Sequence, residues 1–459
     1  MKKFIAFLLL LLVIGAAGAW WWTGRQPPPA IEITKPGAAM GQGGAIEFTV
    51  EAPAIHLSAL DVTFEQAGKQ TPLFALTRPG AATLTQEGPN RIRVTVPATR
   101  KEIPDLKSGD AKIVVHASRG VLRNLRTLSA SASHDVRVQL EPPRVSVLST
   151  HHYINLGGTE FVVLRVTPAD ATGGVRVGDH TYPAFPGTAV GITDPTVRVA
   201  LFALLYDQDL TTPIGVFASD AAGNLATAPL DYKPFPKVFR RSKIELPDAF
   251  LQRVVPTILQ NSPDFAPEVP DQNDLVAAFL KINGELRKKN AEQIASYTKQ
   301  TAPQMLWRGP FQQLGNSQVE AAFADHRTYF YKGKEIDQQV HLGFDLAVTS
   351  GVAVIAANNG KVVHAAWLGI YGNCVIIDHG LGVQSLYAHL SSIEVKVGDT
   401  VSKGQTIGRS GMTGLAGGDH LHFTMLVNGQ AVNAVEWWDQ KWMEDRVLRK
   451  VREAGGQVP

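Results

Sequence analysis

The chain has 459 residues, of which 44% are hydrophobic and 19% charged, and this length predicts several separate hydrophobic cores. A formal net charge of +3 is too small to indicate nucleic-acid binding, because phosphate recognition needs clustered Lys and Arg side chains. The single cysteine, Cys374, excludes an intramolecular disulfide and an all-thiolate metal site, and its apolar neighbours predict a buried side chain.

Residues 1–24 predict where the protein resides. Two lysines precede an uncharged run from Phe4 to Trp22, which as a helix crosses about 30 Å of hydrocarbon. The lysines predict that the N-terminal end stays in the cytoplasm, and the tryptophans at the far end suit a membrane interface. An alternative is a signal peptide cleaved after the small residues 17–19. Both place the bulk of the chain in the periplasm, and we expect a single-pass anchor in the inner membrane.

Two β-rich stretches follow. Residues 25–141 contain short runs of alternating apolar side chains, such as 91–96, separated by Gly, Pro and Asn, and these predict a β-sandwich-like module. After a Glu-Pro-Pro break, residues 142–238 predict a second sandwich, whose turn at 220–224 resembles those of bacterial immunoglobulin-like modules. We expect both modules to act as spacers or as docking surfaces.

The hydrophobic period changes in residues 239–300. Over residues 273–283 the apolar side chains recur at helical spacing, and Asp274 is placed to cap a helix. This segment is predicted to be a helical connector. Residues 301–440 are again β-rich, and residues 441–459 predict a C-terminal helix and tail.

The 301–440 stretch contains short motifs of metal-binding residue types. His341 and Asp345 are four apart, and the β-prone flanks predict a strand that bends at Gly343 so that both side chains reach one ion. Near the end of the stretch, His420 and His422 alternate along a strand ahead of an Asn-Gly hairpin turn. The two histidines are therefore predicted to project from the same strand face.

A third motif places Tyr387 and His389 on one face of a further strand. The three motifs resemble His-x-Gly-x-Asp, Tyr-x-His and His-x-His of the lysostaphin-type, LytM-domain zinc endopeptidases, in the same order. The resemblance covers about residues 305–438. Three motifs at compatible intervals are much more specific than a lone His-x-His pair.

The resemblance implies an antiparallel β peptidase domain that binds Zn²⁺ through His341, Asp345 and His422. Three ligands of N or O type leave a fourth position for water, as a catalytic zinc site requires. The implied activity is hydrolysis of peptide cross-links in bacterial peptidoglycan. For a periplasmic protein we expect direct D,D-type cross-links rather than glycine bridges.

The resemblance also implies catalytic roles for His389 and His420, with Tyr387 as a helper near the reacting carbonyl. A neutral histidine can remove a proton from the zinc-activated water, and a protonated histidine can stabilise the oxyanion or protonate the leaving amine. The sequence leaves open how the two histidines divide these tasks.

An alternative function is a non-catalytic LytM-type regulator that binds and activates a cell-wall amidase. Some members of the family have lost ligands, whereas this chain retains every implied ligand and both catalytic histidines, which favours an enzyme. A further hypothesis places the helical stretch 247–299 over the groove as a gate.

The predicted fold class is mainly β and multidomain. It comprises an N-terminal anchor or signal peptide, two Ig-like β-sandwich modules, a helical connector, an antiparallel-β LytM-type peptidase domain and a C-terminal helix from about Val435 to Arg452. The expected partners are the peptidoglycan peptide, the inner membrane through residues 1–24, and cell-wall machinery through the β-sandwich modules.

Overall fold

A computed structural model describes residues 2–53 and 56–457. The chain divides into two compact units, one of residues 1–143 with 219–226 and one of residues 144–218 with 227–459. The structure is mainly β, as predicted. The Ig-like class of the two N-terminal modules stays a prediction.

The first unit begins with helix α1, Lys2–Thr23. Its Phe4–Thr23 stretch is 20 residues long and strongly apolar, and the side chains of residues 4–22 are exposed. Length and composition alone make it a candidate membrane span, and a signal sequence has the same properties.

Two sheets of the first unit enclose one core. Their orders are β1-β3-β7-β6 and β2-β9-β8-β4-β5. Alternate side chains point inward, so that Leu60, Val62 and Phe64 of one strand are buried between partly exposed neighbours. The strands are β1 Ala30–Lys35, β2 Ala39–Met40, β3 Ala45–Glu51, β4 Ala59–Gln66, β5 Lys69–Ala75, β6 Thr83–Gly88, β7 Arg91–Pro97, β8 Gly109–Val121 and β9 Arg126–Val138.

The second unit begins with a β region whose sheets have the orders β10-β12-β16-β15, β14-β13-β17-β18 and β11-β19. Its buried side chains form one continuous core with those of the C-terminal β domain, residues 301–440. The strands are β10 Arg144–Val147, β11 His152–Asn155, β12 Thr159–Thr167, β13 Thr172–Val177, β14 His180–Pro183, β15 Phe185–Pro186, β16 Val197–Ala203, β17 Ile214–Ser219, β18 Leu225–Pro229, β19 Tyr232–Phe235 and β20 Arg241–Glu245.

The predicted helical connector is helical in the structure. The Asp274 side chain accepts hydrogen bonds from the N–H groups of Val276 and Ala277, which confirms it as a helix cap. The buried face of these helices packs against Tyr329 and Ile370 of the C-terminal β domain. The elements are α2 Asp248–Gln260, α3 Leu275–Lys281, a π-helical turn Ile282–Leu286 and α4 Arg287–Ser296.

The C-terminal β domain is built on an antiparallel sheet of order β21-β24-β32-β28-β27-β26-β30, with β33 paired to β32. Two smaller sheets, β20-β22-β23 and β25-β31-β29, flank it. The strands are β21 Gln318–Ala321, β22 Asp325–Tyr331, β23 Lys334–His341, β24 Phe344–Ala347, β25 Ala353–Ile355, β26 Gly360–Trp367, β27 Asn373–Gly380, β28 Val383–Leu390, β29 Ser392–Ile393, β30 Thr400–Val401, β31 Thr406–Arg409, β32 Leu421–Val427 and β33 Gln430–Val432.

Two local predictions in this domain are confirmed. Asn428 and Gly429 have φ values of 49° and 78° and form the turn between β32 and β33. Cys374 is fully buried in β27. The central strands β24, β32 and β28 are neighbours in the sheet, which brings their motif residues together.

The C-terminal helix is interrupted where one continuous helix was predicted. Asp439 has an extended backbone and its side chain accepts hydrogen bonds from the N–H groups of Lys441 and Trp442, so it ends one helix and caps the next. Trp437 and Val451 are fully buried, as expected for a packing element. The elements are α5 Ala434–Trp438, α6 Gln440–Met443, a π-helical turn Glu444–Leu448 and α7 Arg449–Glu453.

A buried ion pair joins this C-terminal segment to the first β region of the second unit. Lys450 Nζ lies 2.7 Å from Glu160 Oε1 and donates to the Phe161 carbonyl oxygen at 2.8 Å. Both charged side chains have no solvent exposure. The Tyr153 N–H donates to the other Glu160 oxygen, which completes the hydrogen bonding of the carboxylate.

We expect Lys450→Met to lower the free energy of unfolding of the second unit by about 3–5 kcal/mol, because it leaves the Glu160 charge buried without a partner. Urea unfolding followed by tryptophan fluorescence measures the loss. Lys441→Met, at an exposed position, should change stability by less than about 0.5 kcal/mol. Adding Glu160→Met to Lys450→Met should recover part of the loss, and a single variant as stable as the native chain would contradict the prediction.

Candidate active site

Three side chains converge on one point at the edge between β23, β24 and β32. His341 Nε2 lies 2.9 Å from Asp345 Oδ1 and 3.0 Å from His422 Nδ1, and the third side of the triangle, from His422 Nδ1 to Asp345 Oδ1, is 3.0 Å. Asp345 and His422 are direct cross-strand partners, while His341 ends the preceding strand. These residues form a group that could hold a metal ion.

The hydrogen bonds of His341 and His422 leave one ring nitrogen of each unprotonated. These are the two nitrogens of the triangle, so both could bind a metal ion. The carbonyl oxygen of Ala322, 3.3 Å from His341 Nδ1, can only accept, so Nδ1 carries the proton and Nε2 keeps its lone pair. The Thr424 hydroxyl donates to a carbonyl oxygen and therefore accepts from His422 Nε2, which leaves the Nδ1 lone pair for the triangle. Burial also lowers the pKa of His422 to about 4, so the ring is neutral.

Position 343 must be glycine because there is no room for a side chain. A Cβ atom at this position would lie 2.5 Å from His422 Nε2 and 2.7 Å from Thr424 Oγ1. The Gly343 backbone is outside the left-handed region, so steric space and not backbone conformation explains the glycine. The chain does bend between β23 and β24, as predicted.

His389 and His420 lie beside the triangle. Their ring centroids are 4.9 Å apart, and the His389 ring is 5.7 Å from that of His422. Each donates its Nδ1–H to a backbone carbonyl, of Thr413 and Gly418 respectively, so Nε2 is the remaining ring nitrogen of each. His420 Nε2 is 3.4 Å from Asp345 Oδ1.

The surroundings of these two rings shift their pKa values in opposite directions. Burial, together with His420 and His422, holds the pKa of His389 well below its ordinary value. Burial also opposes the charged form of His420, but Asp345 outweighs it and raises the pKa of that ring. His389 is therefore kept neutral, and the adjacent His420 is the more basic of the two rings.

Tyr387 lies elsewhere, and the prediction that it shares a strand face with His389 is wrong. Its ring packs 5.3 Å from that of Phe423, which follows the cavity-lining His422 on β32 and does not itself line the cavity. Its hydroxyl accepts from the Ala357 N–H at 2.7 Å and contacts the Ser385 hydroxyl at 2.9 Å. His389 has a φ of 62°, which breaks the alternation of the strand and turns its ring to the other side.

The motif analysis missed Arg327. Its Nη2 donates to Asp345 Oδ2 at 2.8 Å, and its Nε lies 3.6 Å from Asp325 Oδ2. The guanidinium thus holds the Asp345 oxygen that is outside the triangle and fixes the orientation of the carboxylate. Arg327 belongs to no motif, and strand alternation alone does not distinguish it from other charged residues of β22.

One cavity of about 410 Å³ contains the site. His341, His389, His420, His422 and Asp345 line one part of this cavity. Another part is an apolar wall formed by the helical connector and the residues just before it. That wall fits the expectation that residues 247–299 lie at the groove. The apolar residues of this wall include Ile244, Leu246, Phe250 and Phe279, and Arg287 also lines the cavity.

Residues 339–434 match the family model described as Peptidase family M23. The C-terminal β domain thus contains an M23 peptidase domain, and the resemblance to lysostaphin-type, LytM-domain enzymes is confirmed. A metalloprotease of Haemophilus influenzae is 45% identical over 94 residues, 20% of this chain and 20% of that protein. The peptidoglycan DD-endopeptidase ShyA of Vibrio cholerae is 32% identical over 163 residues, 35% of this chain and 34% of that protein.

Further relatives differ in their named roles. Lysostaphin of Staphylococcus staphylolyticus is 42% identical over 95 residues, 20% of each chain. The murein hydrolase activator EnvC of Escherichia coli is 39% identical over 95 residues, 21% of this chain and 23% of that protein. A solved M23 peptidase from Pseudomonas aeruginosa aligns with 62% of this chain and 94% of its own, at 19% identity and a TM-score of 0.37. The chain spans about a third or less of the length of these curated relatives.

Proposed function

We propose that the M23 domain is a zinc-dependent endopeptidase that hydrolyses peptide cross-links of bacterial peptidoglycan. The observation that carries the proposal is the triangle of His341 Nε2, Asp345 Oδ1 and His422 Nδ1, whose sides are 2.9–3.0 Å. Similarity to relatives named as DD-endopeptidases supports the substrate.

The donor set fits zinc. Two neutral imidazoles and one carboxylate match the N and O ligands of open zinc sites, and the hydrogen bonds described above point both imidazole lone pairs inward. When bound, zinc supplies a Lewis acid and a water molecule that ionises near neutral pH. Arg327 keeps one Asp345 oxygen occupied, so that the other faces the triangle.

His389 and His420 are the proposed catalytic residues. His389, held neutral and with Nε2 unprotonated, is suited to accept a proton from water. His420, the more basic ring, is suited to hold a proton near the reacting carbonyl oxygen or the leaving amine. Tyr387 has no role in this proposal, because its hydroxyl is engaged away from the cavity.

We further propose that α1 holds the protein in the inner membrane and that the chain acts from the periplasm. The length and apolar character of Phe4–Thr23 support this location, and a cleaved signal peptide leads to the same compartment. In both cases the β-rich units stand between the membrane and the wall, where they can also contact other wall-processing proteins.

The test combines metal analysis with product analysis. We expect the full chain, purified in detergent, to hold about one zinc per chain and to release un-cross-linked peptides from purified muropeptide dimers, as detected by mass spectrometry. Removing the metal with a chelator should abolish cleavage, and adding back zinc should restore it. Stoichiometric zinc without cleavage of any wall peptide would overturn the proposal.

A second candidate function is activation of a cell-wall amidase, which the similarity to a murein hydrolase activator favours. The same preparation distinguishes the two. An activator would leave muropeptide dimers intact and would raise the turnover of an added amidase, with or without metal in the M23 domain.

A further inference from the structure

One cationic side chain in the active-site cavity has no anionic partner. Arg287, at the start of α4, lines the same cavity as the metal triangle. Within residues 2–53 and 56–457, no carboxylate lies within ion-pair distance of its guanidinium, and its Nη1 makes no hydrogen bond to protein. The helical segment therefore brings an uncompensated positive charge to the groove.

The Arg287 side chain is held in place. Its Nε donates to the Asn283 carbonyl oxygen at 3.0 Å and its Nη2 donates to the Asn283 side-chain oxygen at 2.5 Å. Asn283 is fully buried and donates in turn to Asp337 Oδ2 at 2.7 Å. Two of the three guanidinium nitrogens are thus fixed in a side chain that lines the cavity.

Asn283 lies in the π-helical turn Ile282–Leu286, between α3 and α4. A π turn inserts one extra residue into a helix, which rotates the residues that follow, and such turns occur frequently at functional sites. Here it allows Asn283 to remain on the buried face while Arg287, one turn later, reaches the cavity.

The other charged residues of the cavity are already paired or solvated. Arg327 forms an ion pair with Asp345, so the Asp345 carboxylate compensates the charge of Arg327. Glu245 is exposed, and its Oε1 accepts from the Gly333 N–H at 3.3 Å. Of the two arginines that line the cavity, only Arg287 is available to an anionic ligand.

Arg287 shares one cavity with the candidate metal ligands. Tyr371, which also lines this cavity, has its ring centroid 5.5 Å from that of His422. A peptide bound in the cavity can therefore contact both Arg287 and the triangle of His341, Asp345 and His422.

We propose that Arg287 binds a carboxylate of the wall peptide adjacent to the scissile amide. The proposal rests on the proposed endopeptidase function and adds a substrate class to it. In a direct cross-link, the acylated amine can belong to a diamino acid whose amine-bearing carbon also carries a carboxylate, as in diaminopimelate. A lysine cross-link or an amidated cross-link lacks that negative charge.

The test compares two synthetic cross-linked peptides that differ in this group alone, one with the carboxylate and one with a carboxamide. The full chain in detergent, with zinc, should cleave the carboxylate peptide with a kcat/KM about 10- to 100-fold higher. Arg287→Gln should lower kcat/KM for the carboxylate peptide by that factor and leave the carboxamide peptide unchanged. Arg287→Lys should keep part of the preference.

Lys288→Gln is the matched control, since it removes one exposed positive charge from the same helix and should preserve the preference. An equal fall on both peptides in Arg287→Gln would assign Arg287 a structural role and overturn the inference, as would a native chain without preference. If the native chain cleaves neither peptide, the proposed endopeptidase function is wrong. Whether Arg287 binds the carboxylate is then tested by calorimetry with the product peptide that carries this group. Binding at least about 10-fold weaker in Arg287→Gln supports the inference, and equal binding overturns it.

Discussion

Asp345→Asn is expected to reduce bound zinc from about one per chain to below about 0.1 and to lower kcat/KM on muropeptide dimers by at least about 10³-fold. The substitution replaces the proposed charged ligand with a neutral amide and leaves Arg327 with Asp325, at 3.6 Å, in place of the closer Asp345 carboxylate. A positive guanidinium beside the site then repels the cation that the carboxylate formerly attracted. Loss of the metal removes the Lewis acid and the acidic water together, which accounts for the size of the effect.

Metal content by mass spectrometry and product formation by chromatography measure the two effects of Asp345→Asn. Circular dichroism establishes whether the domain is folded. Asp264→Asn, which removes an exposed carboxylate from the helical segment, should keep one zinc and full activity. Retention of stoichiometric zinc in Asp345→Asn would remove Asp345 from the ligand set.

His389→Ala is expected to lower kcat/KM by about 10²- to 10⁴-fold while bound zinc stays at about one per chain. The ring lies 5.7 Å from that of His422 but outside the triangle, so its loss removes a proton acceptor and spares the ligands. This separation of activity from metal content distinguishes a catalytic histidine from a ligand. Loss of zinc in parallel with activity would assign His389 to the metal site instead.

His326→Ala is the control for that experiment. His326 lies on β22 in the same domain and does not line the active-site cavity, and we expect less than about a twofold change in kcat/KM. A comparable loss in both variants would indicate that removal of any histidine ring disturbs the domain.

Strand alternation made part of the candidate site predictable. It places His420 and His422, two apart on one strand, on the same face, and the resemblance to lysostaphin-type enzymes implied that His341 and Asp345 meet His422. The structure places all four around one cavity. Alternation failed at Tyr387 and His389 because the positive φ of His389 has no signal in the sequence.

The residues that sequence reasoning missed come from other segments. Arg327 and Arg287 reach the cavity through the packing of β22 and of the helices against the main sheet, and neither position belongs to a local pattern. Sequence patterns also did not indicate that two of the predicted modules share a hydrophobic core. Residues 144–218 share a continuous core with the C-terminal β domain, because apolar side chains give no information about which distant element they contact.

The ion pair between Glu160 and Lys450 determines when the second unit can be completed. Its two partners are 290 positions apart, so strand β12 leaves the ribosome long before the ammonium group that neutralises it. Contacts this distant along the chain make folding slow, and an incomplete chain must keep the acidic strand in water. The second unit, with the cavity that contains the candidate site, is therefore expected to be complete only after residue 450 has been synthesised.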